Sequence, residues 1–98
     1  MLQEKEKPTA IYAWDDVMAI GVEKAVLNFG LKIPHDIAVV GYNDIEIAAF
    51  MSPPLTTVRQ KTGEIGEKAF EMLIHKIRNE SPVENIVLEP ELIIRQTS

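Results

Sequence analysis

Apolar positions along the chain change period several times, and each change marks an element. Residues 9–13, Thr-Ala-Ile-Tyr-Ala, form a short run of strand character. Met18, Val22, Ala25, Val26 and Phe29 then recur at helical spacing, with Asp15 or Asp16 placed as the helix cap. Gly30 ends that helix where positive φ is needed, and Pro34 prevents its continuation. Ile37 to Gly41 reads as a second, buried strand, followed by a short helix over roughly 45–51 that stops before Pro53-Pro54. Leu55 to Gln60, "LTTVRQ", reads as a third strand. The longest helix runs from about Thr62 to Asn79. Its stripe predicts burial of Ile65, Ala69, Met72, Leu73 and Ile77, with Glu64, Glu67, Lys68, Glu71 and Lys76 facing solvent. Ser81-Pro82 breaks the chain, and "NIVLE" (85–89) and "LIIRQ" (92–96) read as strands separated by Pro90.

Strand and helix alternate at first, which predicts an α/β fold with a parallel sheet and right-handed crossovers. In such open sheets ligands sit at the carboxyl ends of the strands. Asp15, Asp16, Asn43 and Asp44 all fall at such ends. One of the Asp15-Asp16 pair serves as a helix cap, where a carboxylate accepts backbone N–H bonds and faces the positive end of the helix dipole. The other is free to face a ligand. Tyr42-Asn43-Asp44 reads either as an Asx-turn opening the next helix or as a second set of ligand contacts. Carboxylates and a carboxamide at neighbouring strand ends suit the vicinal hydroxyls of a sugar or nucleoside, because charge-assisted hydrogen bonds are strong. Trp14 is either core or an apolar ring face beside them.

Composition narrows the class. With 46% apolar and 26% charged residues, the 98-residue chain reads as one small globular domain at most. The net charge is −5 and the ten Lys and Arg residues are scattered, which argues against direct DNA binding by this chain. No apolar run approaches the ~18 residues of a membrane span. The charged start "MLQEKEKPT" does not read as a secretory signal, and cysteine is absent; a cytoplasmic protein without a thiolate metal site is expected.

Catalytic readings fare poorly. A phosphoacceptor receiver would use residue types found at Asp15, Asp16, Asp44, Thr57 and Lys61, but Thr57 and Lys61 lie on one strand and its exit, which is the wrong order. His35 and His75 lack a nucleophile or metal-ligand partner at useful spacing, and Gly63 and Gly66 do not make a phosphate loop. No enzyme activity, cofactor or metal is expected.

The string "MAIG", the segment "GLKIPHDIAVVGYND" and above all "PPLTTVRQ" occur together and in order, continuing through "GEKAFEMLIHKI" to "LEPELIIRQTS". From Pro8 to Ser98 the chain resembles the C-terminal part of the effector-binding domain of LacI/GalR-family transcriptional regulators. The resemblance implies a type I periplasmic-binding-protein-like fold of two lobes with a sugar, nucleoside or similar small effector between them. It assigns 8–57 mostly to the C-terminal lobe, 58–90 to a crossover and N-terminal-lobe elements, and 91–98 to the return. It implies ligand contacts at Asp15 and Asn43; the reading of the residues adds Trp14 beside them, with Asp16 and Asp44 as helix cap or support behind them. Asp15 stands where the family usually has Asn, Asn43 where it often has Asp, and Trp14 where it often has a small residue. Ile20, Lys24, Phe50, Met51 and Ser52 resemble the dimer face, and Thr57, Val58, Arg59 and Gln60 the lobe crossover. DNA would be reached only through a headpiece not in this chain. This partial domain is expected either to re-form a smaller α/β unit or to complete its open sheets with a second copy, a swapped or intertwined homodimer being the preferred version. The alternatives are a periplasmic solute-binding protein of the same fold and a self-associating unit with no ligand site.

Overall fold

A computed structural model describes residues 7–80 and 84–98. Cα packing divides the chain into two units, the first ending at Arg59 and resuming with Glu91–Ser98, the second Gln60–Pro90. The elements in order are β1 (Ala10–Tyr12), α1 (Asp16–Asn28), β2 (Ala38–Val40), a 3-10 helix (Glu46–Phe50), β3 (Thr57–Arg59), α2 (Thr62–Ile77) and β4 (Glu91–Ile93).

In the first unit β1 and β2 pair in parallel, with Ala10 opposite Ala38 and Tyr12 opposite Val40. A parallel bridge from Val40 to Thr56 brings β3 alongside, and Gly41 N–H donates to Thr56 O at 2.9 Å. β4 returns antiparallel to β3, with Thr57 opposite Ile93 and Arg59 opposite Glu91. The predicted α/β order and parallel pairing are present; the antiparallel return belongs to the last strand.

α1 starts where Asp15 accepts from Met18 N–H at 2.8 Å, and ends at Gly30, whose φ is 90°. Its buried face is Asp16, Ala19, Glu23 and Val26. Of the apolar residues at helical spacing, Val26 is buried and Val22 half-buried, while Met18, Ala25 and Phe29 are exposed. Apolar residues occur around the whole helix, and close approach to the sheet selects the small Ala19. A Cβ built on Gly41 would lie 3.2 Å from the Ala19 Cβ, so strand and helix meet where both side chains are minimal. The core gathers Ala13, Ala19, Val26, Ile37, Val39, Ala48 and Leu55, with Ile11, Val22, Leu31, Ile33 and Ile45 packed against it.

The second unit differs more from expectation. α2 forms as its periodicity predicts, yet none of its residues is buried, and Leu73 and Ile77 are 53% and 67% exposed. An apolar stripe forms a helix locally but is buried only if another element covers it. "NIVLE" is not a strand: residues 84–90 carry no strand pairing, and Val87 is 86% exposed. "LIIRQ" contributes only Leu92 and Ile93 to β4. The Ser81-Pro82 break lies outside the described residues.

Candidate functional site

The carboxyl ends of β1 and β2, with the start of β3, converge on a polar cluster within the first unit. Trp14 follows β1 with 83% of its surface exposed, so it is not core. Asp15 is half-buried, and its carboxylate is the helix cap. Asp16, the alternative cap, instead turns inward as the first residue of α1 and is fully buried. Its Oδ2 accepts from Ile45 N–H at 2.7 Å and its Oδ1 from the Thr57 hydroxyl at 2.5 Å. Asp16 N–H donates to Tyr42 O at 3.0 Å. One buried carboxylate thus ties α1 to the loop after β2 and to β3.

That loop carries Asn43 and Asp44, both in the left-handed region, with φ of 106° and 53°. Such backbone costs on the order of 1–3 kcal/mol per non-glycine residue and persists where its surroundings impose it. Here they do. Asn43 N–H donates to Val58 O at 2.8 Å, and Asp44 N–H to the Thr57 hydroxyl at 3.2 Å. The Asn43 residue is exposed. Asp44 does not cap the 3-10 helix, whose cap position is Ile45, with no side-chain hydrogen bond. Its carboxylate instead accepts from Arg59 Nε at 2.7 Å and pairs with an Arg95 terminal nitrogen at 2.8 Å. The other terminal nitrogen of Arg95 donates to Leu55 O at 2.9 Å. Burial opposes ionisation of Asp44, but hydrogen bonds from Arg59 and Arg95 and their charge outweigh it, holding its carboxyl below the usual range.

The residues expected at a ligand face therefore divide by depth. Trp14, Asp15 and Asn43 sit at the strand ends with accessible surface, while Asp16 and Asp44 lie beneath them in a hydrogen-bonded network. Sequence reading missed Arg95 as the second partner of Asp44 and Thr57 as the partner of Asp16; both pairings join residues more than 40 positions apart. It also missed Glu23, whose two carboxylate oxygens are buried without a hydrogen-bond partner. Burial pushes that carboxyl up from its ordinary value.

Of the expected dimer face, Phe50, Ser52 and Lys24 are exposed and Ile20 and Met51 half-buried. Of the expected crossover, Thr57 is buried, Val58 and Gln60 are half-buried, Arg59 is exposed, and the first unit ends between Arg59 and Gln60. His75 pairs with Glu80 at 2.6 Å on the second unit. Among the described residues no three His, Cys, Asp or Glu side chains group as a metal site, and no helix is long and apolar enough to cross a membrane.

Comparison with known proteins gives this geometry a family. The model of the periplasmic binding protein-like domain matches residues 1–98. The chain is 39% identical over 94 residues to the transcriptional repressor PurR of Vibrio vulnificus, covering 95% of this chain and 28% of that protein. It is 48% identical over 77 residues to the ribose operon repressor of Escherichia coli K12, covering 79% and 23%. It superposes on the lac repressor dimer bound to operator and the anti-inducer ONPF with a TM-score of 0.91 at 35% identity, over 100% of this chain and 34% of that one. An Arthrobacter LacI-family regulator in complex with lactose gives 0.84 at 31%, over 99% and 38%. The chain spans under a third of the length of these curated relatives. It belongs to the periplasmic binding protein-like family, and it matches part of the effector-binding domain of LacI-type transcriptional repressors.

Proposed function

We propose that this chain is an effector-sensing and dimerising portion of a LacI-type transcriptional regulator, acting by binding rather than catalysis. The observation that carries the reading is the strand-end cluster, in which Trp14, Asp15 and Asn43 follow the carboxyl ends of β1 and β2 beside the buried Asp16–Thr57 pair and the partly exposed Asp44–Arg59–Arg95 ion pairs. The effector is a small polyhydroxylated molecule of the sugar or nucleoside class. Asp15 accepts from its hydroxyls, Asn43 both donates and accepts, and the Trp14 ring covers an apolar face. Relatives named for the ribose operon, and one solved with lactose, support that class.

Residues 8–57 would supply mostly the C-terminal lobe, 58–90 the crossover and N-terminal-lobe elements, and 91–98 the return. Effector binding would favour one lobe arrangement, and strands crossing between lobes would pass that bias to DNA-binding domains outside this chain, in the cytoplasm. Ile20, Lys24, Phe50, Met51 and Ser52 would form the homodimer face. The unburied stripe of α2 favours a second element of the reading, self-association in which a second copy covers that helix.

Thermal unfolding with millimolar D-ribose, lactose, cellobiose and purine nucleosides tests the binding reading. A ligand at 100 times its Kd adds about 2.7 kcal/mol, a rise of several degrees for a domain of this size. Indifference to every compound would favour a structural, self-associating unit without a ligand site.

A further inference from the structure

The loop bearing Asn43 is held from below more thoroughly than a surface turn requires. Besides the Asn43, Asp44 and Ile45 amide bonds, the Asp44 carboxylate, 9% exposed, bridges two arginines from different segments. Arg59 is the last residue before the chain leaves the first unit, and Arg95 lies two residues beyond β4, on which the chain re-enters. Arg95 also fixes Leu55 O, so one guanidinium joins the return segment, the entry to β3 and the loop. Two consecutive non-glycine residues with positive φ need such a constraint.

We propose that Asp44 is a positioning residue for the candidate effector site. Its double ion pair holds Asn43 in its left-handed conformation and locks the loop to the two strands through which the chain leaves and re-enters the first unit. A ligand that engages Asn43 thereby acts on both strands at once. The inference rests on Asn43 being a ligand contact, but its test needs no ligand: it reads the constraint itself, so the two can fail separately.

The test is amide hydrogen exchange on the full chain and on Asp44→Asn, which keeps the side-chain shape and removes its charge. The asparagine oxygen can still accept from one arginine, but loss of the other acceptor and of both ion pairs should speed exchange of the Asn43 and Ile45 amides by a factor of about ten to a hundred. The Val39 amide, bonded to Thr97 O at 2.8 Å within the sheet, should keep its rate. Equal acceleration at all three, or none at Asn43, would overturn the proposal. Arg59→Met provides the second variant if Asp44→Asn does not fold, because Arg59 is half-exposed and removes one tie only. It should accelerate the Asn43 amide alone among Asn43 and Val39, by a smaller factor. An unchanged Asn43 rate in Arg59→Met would also overturn it. Arg59→Lys, which retains the charge beside Asp44, should recover part of the protection.

Discussion

Replacing Asp16 with alanine removes a carboxylate that is 0% exposed and joins three segments of the first unit. Two donors lose their acceptor: the Ile45 amide at 2.7 Å and the Thr57 hydroxyl at 2.5 Å. Each hydrogen bond to a charged group is worth about 1.5–3 kcal/mol, and the amide is left in a partly buried site where water replaces it poorly. The hydroxyl can rotate to another acceptor, which offsets part of its share. The net cost is about 3–5 kcal/mol, within the range for breaking a buried network. For a chain of this size that lowers Tm by on the order of 15–20 °C. Asp16→Asn should fall between wild type and alanine, at about 1–3 kcal/mol, because one amide oxygen can accept while the NH2 group meets a donor. Thermal and urea melts followed by circular dichroism, with matched m-values, measure both. A loss under about 1 kcal/mol for Asp16→Ala would refute the claim that this carboxylate ties helix, loop and strand together.

Gly41→Ala should cost about 1–3 kcal/mol, because its Cβ would run into Asp16 Oδ1 and lie 3.1 Å from a Leu55 methyl; in an Asp16→Ala background the penalty should shrink, as a double-mutant cycle would register. Glu23→Met should raise stability near neutral pH by about 1–3 kcal/mol, since it replaces a buried, unpartnered carboxyl. Burial raises the folded-state pKa of Glu23, so its contribution is fully present below the unfolded value and is lost as pH rises through the folded one; urea melts across that window should show wild type losing stability relative to Glu23→Met. Asp44 has the opposite sign. Its folded pKa is lowered, so its contribution is present above the unfolded value and lost as pH falls through the folded one, and Asp44→Asn should flatten that acid limb of the stability profile.

Local signals carried much of the fold. Gly30, Pro34, Pro53-Pro54 and the helical spacing of α1 and α2 mark their elements because capping, φ preference and periodicity act within a few residues. The position of the polar cluster was legible too, since parallel strands place their carboxyl ends on one edge. What lay beyond the sequence was any property decided between segments. The inward turn of Asp16 depends on Thr57, 41 residues away, and the exposure of Met18 and Phe29 depends on how closely α1 approaches β2. "NIVLE" has strand propensity but no ladder, because a strand exists only with a neighbour. The stripe of α2 failed for the same reason. Its amphipathic pattern states which face can be covered, not that a covering element is present.

The most direct test of the account is amide chemical-shift mapping of the 15N-labelled chain titrated with D-ribose, lactose, cellobiose and purine nucleosides. If the strand ends bind the effector, at least one compound will shift the Trp14, Asp15 and Asn43 signals saturably, with smaller changes at Thr57 to Arg59. A titration in which every compound leaves those signals still, or moves only residues of α2, would contradict the claim that this edge of the sheet is an effector site.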